Sequence, residues 1–299
     1  MFPKASWDSV TDHTPVMVKE VLHYLNILPD GIYLDGTIGL GGHATQILSR
    51  LSTQGMLIGL DRDEGALNRC SSKFSVSSSP YSLYHASYDT FPQILQQLGI
   101  PGVNGMLLDL GLSSFQLASP TRGFSYSSDG LLDMRFDERS STTAADILNR
   151  SSVRELTNLF NEYGEERYAY RIARRIKERG TVQSVGDLRA AIRRATPPRG
   201  RPRVMARIFQ ALRIAVNQEL DRLQEFLNQF MDYLLPHGRI VILSYHSLED
   251  RMVKQTFRAL RQEGKFTILT PKPIPPGEAE IQANPRAKSA RLRAGEKTA

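Results

Sequence analysis

Four short apolar runs in the first third of the chain alternate with stretches of helical spacing, and three of the four end on an aspartate. The runs are Gly31 to Asp35, Met56 to Asp61, Tyr81 to His85 and Val103 to Asp109. Between them, Ala44 to Leu51, Glu64 to Lys73 and Phe91 to Leu98 repeat their apolar residues at helical intervals. Thr14-Pro15 ahead of Val16 to Ile27 reads as an N-cap with proline in the first turn of another helix. Strands alternating with helices predict a parallel sheet covered on both faces, an α/β class.

The pattern changes after Asp109. Gly111 to Phe136 is rich in Ser, Gly and Asp and reads as loop. Thr142 to Ala195 has helical periodicity with breaks near Gly164 and Gly180, and Thr196-Pro197-Pro198-Arg199-Gly200-Arg201-Pro202 is a strong breaker. Val204 to Leu235 then reads as one long, bent helix. Strand signal returns at Arg239 to Tyr245, followed by a helix over Leu248 to Gln262 and a strand over Lys265 to Leu269. The tail Ala290 to Ala294 alternates weakly and suits a hairpin with that last strand. The expected organisation is an α/β domain in two parts, residues 1–115 and 214–299, interrupted by an all-helical domain over 116–213.

Charge placement narrows the partner. The 299 residues carry a net charge of +7, and fourteen cations fall between Arg167 and Arg213, opposed only by Glu178 and Asp187. Such a block attracts polyanions, of which nucleic-acid backbones are the commonest. The alternative is a solvated face on helices. The lone Cys70 excludes an internal disulfide. No basic-then-apolar leader opens the sequence, and no uncharged run approaches the roughly 20 residues needed to span a bilayer. The expectation is a cytoplasmic protein. The six histidines, His13, His23, His43, His85, His237 and His246, show no metal-ligand spacing.

Asp35-Gly36-Thr37-Ile38-Gly39-Leu40-Gly41-Gly42-His43 joins the first strand to the first following helix. Glycines there permit a tight turn and close approach to a ligand, and Asp61 ends the next strand, where an acid accepts hydrogen bonds from ribose hydroxyls. Two ligands compete. Gly39 to Ala44 matches the dinucleotide pattern G-x-G-x-x-A, which would suit NAD and an oxidoreductase. Asp35, directly before the first glycine, opposes a pyrophosphate and suits the cationic methionine end of S-adenosylmethionine, which is the favoured reading. Tyr88 is a candidate for the adenine ring, and Asp109 ends the fourth strand at the edge where ligands collect.

With these motifs in view the chain resembles the ribosomal small-subunit RNA methyltransferase H (MraW) family along nearly its whole length. The resemblance is carried by His13-Thr14-Pro15-Val16, the Asp35 to His43 turn, Leu108 to Leu117, Arg122-Gly123-Phe124-Ser125-Tyr126, Leu132-Asp133-Met134-Arg135 and Tyr163-Gly164-Glu165-Glu166-Arg167. Phe209 to Asn217, Ser244 to Arg251 and Asn284 to Ser289 extend it. It implies a class I methyltransferase with a Rossmann-like sheet and an inserted helical domain. The implied activity is methylation of the exocyclic N4 amine of a cytidine in the decoding region of small-subunit (16S) ribosomal RNA. The implied cofactor is S-adenosylmethionine, held by Gly41, Gly42, His43, Asp61, Tyr88, Asp109 and Gln116. The implied partner is small-subunit ribosomal RNA or the small subunit itself, with a homodimer possible and no membrane. Two departures stand out: Arg203-Val204-Met205-Ala206-Arg207 replaces the usual His-Pro-Ala-Thr-Arg, and Leu131 replaces a common proline.

Cytosine's exocyclic amine is a poor nucleophile because its lone pair is shared with the ring, so a catalyst should hold it with hydrogen-bond acceptors. Asp109 and Ser113 are the candidate acceptors, and His246 the candidate acceptor of the released proton. Arg122, Phe124, Tyr126, Arg135 and the Arg167–Arg213 block are the expected RNA face, with burial between the domains the alternative for Phe124 and Tyr126, and with the loop from Gly111 to Gly130 as a lid over the site. A non-catalytic RNA-binding assembly factor retaining the cofactor as a structural ligand is the other reading.

Overall fold

The computed structural model describes residues 15–75, 77–113, 116–117, 119, 121–127 and 129–299. His13, Thr14, Ser114 and Phe115, named above, lie outside them. Two compact units divide the chain: residues 1–111 with 226–299, and residues 112–225.

The first unit opens with α1 (Val18–Leu25), β1 (Ile32–Asp35), α2 (Gly42–Leu48), β2 (Met56–Asp61), α3 (Glu64–Phe74), β3 (Tyr81–His85), α4 (Phe91–Gln97) and β4 (Val103–Asp109). The second unit holds α5 (Ala144–Arg150), α6 (Val153–Glu162), α7 (Ala169–Arg179), α8 (Val185–Ala195) and α9 (Arg201–Asn217). Helix α10 (Glu219–Tyr233) carries the chain across the 225/226 division. The first unit resumes with β5 (Leu234–Ser244), α11 (Ser247–Gln262), β6 (Phe266–Ile268), α12 (Glu278–Ala283) and β7 (Arg291–Lys297).

The seven strands form one sheet in the order β3-β2-β1-β4-β5-β7-β6. All neighbouring pairs are parallel except those of β7, which runs antiparallel between β5 and β6. This is the Rossmann-like sheet of a class I methyltransferase, with the reversed strand close to its far edge. The central strands β2 and β4 are buried along nearly their full length, as their unbroken apolar runs require. Strand order turns back on itself beside β1: β2 and β3 extend to one side, β4 and β5 to the other. Ligands of such sheets collect at that switch point, outside the carboxyl ends of the strands. Asp35 and Asp109 end the two strands that flank it.

The second unit is helical around a core that includes Leu148, Leu156, Phe160, Ile172, Ile176, Leu188, Ile192, Ile208 and Leu212. Three of its helices start on reciprocal capping boxes, Thr143 with Asp146, Ser152 with Glu155 and Ser184 with Asp187. Hydroxyl and backbone bonds from Ser184, together with Arg179, hold the Asp187 carboxyl far below the usual range. Buried Asn217 closes the unit: its Oδ1 accepts from Phe136 N at 2.8 Å, and its Nδ2 donates to Met134 O at 2.8 Å and Arg213 O at 2.9 Å.

Two expectations from the sequence are corrected here. Helix α1 begins at Val18 rather than near Pro15, because Met17 takes a left-handed conformation (φ 52°) and donates its N–H to Glu280 Oε1. The single long helix after the proline-rich breaker is two, because Gln218 is also left-handed (φ 54°) and terminates α9. The compact units divide at 111/112 and 225/226, beside the expected bounds of 115/116 and 213/214. No helix among the described residues is long and apolar enough to cross a membrane.

Candidate active site

The turn after β1 is built by close contacts that its glycines alone permit. Gly41 sits at φ 73°, and a Cβ there would lie 2.7 Å from the Phe74 ring and 3.0 Å from Cys70 Sγ. The Cys70 thiol donates to Gly39 O, and burial beside Asp35 and Asp61 pushes its pKa up to about 12, so it stays neutral and inert. Gly36 is pinned the same way, with Leu108 Cδ2 and Tyr88 Cβ in the space a side chain would need.

Three carboxylates face this turn. Asp35 is buried and accepts from Thr37 N at 3.1 Å. Burial, with added repulsion from Asp109 and Asp61, raises its pKa to about 7. Asp61 accepts from Gly39 N and from Asp63 N, each at 2.8 Å, one on each carboxylate oxygen. Burial raises its pKa to about 6 against those bonds. Asp109 is fixed from three sides: its N–H donates to Thr37 Oγ1 at 2.6 Å, its Oδ1 accepts from Tyr245 Oη at 2.7 Å, and its Oδ2 lies 3.6 Å from His43 Nδ1. His43 is buried, and its Nε2 meets Val16 O at 2.8 Å. Desolvation and the Asp109 charge drive the Tyr245 pKa far above its ordinary value, so the phenol remains a donor.

An anionic cluster of this kind has a plain chemical preference. It opposes a pyrophosphate and favours a ligand carrying positive charge. S-adenosylmethionine, with a sulfonium and an ammonium, fits the donor set; NAD does not.

Of the residues singled out from sequence, the structure brings Gly41, Gly42, His43, Asp61 and Asp109 together at the sheet's carboxyl edge. Tyr88 lies in a 3-10 turn just after β3, half-buried, its ring set edge-on to Phe226 at 5.8 Å between centroids. Ser113 and Gln116 belong to the second unit and bond each other reciprocally: Ser113 N donates to Gln116 Oε1 and Gln116 N to Ser113 Oγ. His246 begins α11 as its N-cap. Its Nδ1 accepts from Glu249 N at 3.4 Å, and its Nε2 lies 3.1 Å from Glu249 Oε1. Both ring nitrogens are thus turned toward Glu249, and the ring caps the N-terminus of α11. Tyr245 and Thr37 were missed from sequence. Tyr245 follows an apolar strand and reads as core; only the pairing of Asp109 with Leu243 puts it beside the carboxylate.

The chain matches the model of the MraW methylase family over residues 10–298. The chain belongs to the MraW methylase family. Among relatives, the ribosomal RNA small subunit methyltransferase H of Kosmotoga olearia is 46% identical over 95% of this chain and 97% of its own. The protein of the same name from Halothermothrix orenii is 43% identical over 96% and 98%. A solved rRNA methylase from Streptococcus thermophilus is similar at 14% identity over 94% of this chain and 96% of that one, with a TM-score of 0.47.

Several arginines expected at an RNA face of this MraW chain are engaged internally. Arg122 donates to the carbonyls of Arg135 and Phe136, and Arg135 forms a fork with Asp133 and reaches the carbonyls of Glu138 and Ser140. Phe124 is buried and stacks on Phe136. Tyr126 is 37% exposed, edge-on to Phe209. Within the basic block, Arg179 pairs with Asp187, Arg189 with Asp129 and Arg213 with Glu219. Arg193, Arg194, Arg199 and Arg203 are exposed, and among the described residues no acid contacts their side chains. They share the corner where α8 gives way to α9, a corner stitched by Arg201, which donates to Arg193 O and Thr196 O.

Proposed function

We propose that this chain methylates the N4 amine of a cytidine in the decoding region of small-subunit ribosomal RNA, using S-adenosylmethionine. The observation that carries this reading is the set of three carboxylates, Asp35, Asp61 and Asp109, converging on a glycine turn at the switch point of a methyltransferase sheet. Two relatives above 40% identity bear the name of a small-subunit rRNA methyltransferase, which supports the substrate.

The cofactor, when bound, supplies an electrophilic methyl on a sulfonium. Asp61, at the end of β2, would hold ribose hydroxyls with the lone pairs its two backbone bonds leave over. Asp35 would hold the cationic methionine end directly or through water. Tyr88, braced by Phe226, would lie against adenine. Gly41 and Gly42 let the backbone approach, and buried His43 fixes the far side of Asp109.

Asp109 is the proposed acceptor for the target amine. Its side chain is 21% exposed, and Tyr245 and His43 set its orientation before substrate arrives. A carboxylate held this way favours the rotamer of the amine that localises its lone pair, which is the nucleophilic form. Ser113 is a second candidate acceptor; its hydroxyl oxygen takes the Gln116 N–H on one lone pair, which leaves the other to accept. The exposed arginines at the α8–α9 corner would hold phosphates.

The test is RNA-dependent turnover. Small subunits lacking the modification should elicit S-adenosylhomocysteine from S-adenosylmethionine, and Asp109→Asn should abolish it. S-adenosylhomocysteine formation by Asp109→Asn at the wild-type rate would remove Asp109 from the reaction. Cofactor binding without any turnover by the native chain would return the assembly-factor reading.

A further inference from the structure

One cavity in the second unit has no role assigned above, beyond the place of Arg174 in the basic block. It opens between α6 and α7, has a volume of about 470 Å³, and is lined by Val153, Arg154, Thr157, Asn158, Tyr170 and Arg174. The spacing explains the lining. Arg154 and Asn158 are four residues apart on α6, as are Tyr170 and Arg174 on α7, so each pair forms a ridge along one face of its helix.

Three features of the lining point the same way. Tyr170 is 58% exposed, one of four large apolar side chains that stand out of the surface among the described residues. Its ring offers a stacking face over an open cavity. Arg154 is exposed, and among the described residues no acid contacts it; Arg174 is half-exposed, 3.1 Å from Glu178 through Nε. No carboxylate lines the cavity. Asn158 is exposed and supplies both a donor and an acceptor, and Thr157 Oγ1, whose proton goes to Val153 O, is left as an acceptor. A planar aromatic face, two guanidiniums and an exposed amide are what an unpaired nucleotide uses: stacking for the base, hydrogen bonds for its edge, cations for the phosphates on either side.

We propose that the α6–α7 groove binds an unpaired nucleotide of the RNA substrate, at a site separate from methyl transfer. The proposal rests on the reading that the substrate is RNA. The base stacks on Tyr170, and Arg154 takes an adjacent phosphate. The groove then contributes to affinity and register on the RNA and leaves the chemical step alone.

The test uses the full chain and two readouts. Anisotropy with a fluorescent single-stranded RNA measures affinity without catalysis, and methylation of small subunits gives KM and kcat separately. Tyr170→Ala is expected to weaken RNA affinity and raise KM by about tenfold, with kcat and S-adenosylmethionine affinity unchanged. Tyr170→Phe should keep near-native affinity, since the ring remains. Arg154→Ala should weaken binding and reduce the slope of log affinity against log salt by about one. Both residues are exposed, so unchanged melting temperatures will show that the fold is intact. If affinity, KM and salt slope all stay at wild-type values while the native chain methylates subunits, the groove proposal is overturned and the function stands. If the variants lose RNA affinity but the native chain methylates nothing, the groove stands and the functional reading falls.

Discussion

Tyr245 Oη donates to Asp109 Oδ1 at 2.7 Å, a bond that ties together the carboxyl ends of β5 and β4. Asp109 sits at the switch point of the sheet with His43 on its other oxygen, so its carboxylate is held between two side chains before any ligand binds. Preorganisation of an acceptor at the reacting centre is worth most in the transition state.

Removing that bond is therefore a kinetic change. Tyr245→Phe keeps the ring that packs over Gly111 and deletes the donor. A hydrogen bond to a charged group contributes about 1.5–3 kcal/mol, so kcat should fall about ten- to a hundredfold while the S-adenosylmethionine dissociation constant changes little. Single-turnover kinetics with saturating cofactor make the measurement. A rise in cofactor dissociation constant with unchanged kcat would place Tyr245 in cofactor binding instead.

Asp35 makes cofactor affinity depend on pH. Its folded pKa, about 7, lies above its ordinary value of 3.8 because of burial and the neighbouring acids. A cationic ligand prefers the ionised form. Binding should thus release a proton at pH values below about 7, where Asp35 is still protonated in the free chain, and affinity for S-adenosylmethionine should rise with pH up to about 7 and then level off. The same shift works against the fold without ligand: the stability that protonated Asp35 contributes is present below about pH 4 and is lost as pH rises toward 7. Calorimetric titration in buffers of different ionisation enthalpy counts the proton. Asp35→Asn should flatten the profile between pH 5 and 7.

Gly41→Ala should damage both fold and site. The new methyl meets the Phe74 ring at 2.7 Å, and φ 73° is a left-handed conformation that costs a side chain about 1–2 kcal/mol before any clash. Overpacking adds a similar amount. Denaturant unfolding should show a loss of about 2–4 kcal/mol, and cofactor binding should weaken even where the protein remains folded.

The α8–α9 corner is open to a charge test. Replacing Arg193, Arg194, Arg199 and Arg203 together by alanine should lower affinity for small subunits at low salt and reduce the salt slope by roughly two to four. Melting temperature should hold, since none of the four has an acidic partner among the described residues to lose. An unchanged slope would mean that these cations face solvent.

Much of the sheet was legible before the fold was seen. Strands β2, β3 and β4 fall on the residues their sequence runs mark out; β2 and β4 are central and nearly continuous apolar runs, and β3 is a short edge strand of strand-forming residues bounded by breakers. What escaped has a physical reason in each case. The break at Gln218 carries no glycine or proline; the fork between Arg213 and Glu219 spans it. Strand β7 runs on to Lys297, past the weak alternation that ends at Ala294, because its partners β5 and β6 are far away in sequence. In the site, the aspartates and glycines announced themselves by position, whereas Tyr245 became a candidate only through strand pairing. Phe124 and Arg135 show the converse: residues of types suited to RNA contact, taken up by core packing and by an ion pair with Asp133.

The central claim is the acceptor atom. Small ribosomal subunits lacking the modification would be incubated with the native chain and isotopically labelled S-adenosylmethionine, and the RNA digested to nucleosides for mass spectrometry. Label in N4-methylcytidine, absent with Asp109→Asn, is the predicted result. Label confined to any other nucleoside, or no label from a preparation that binds cofactor, would contradict the account.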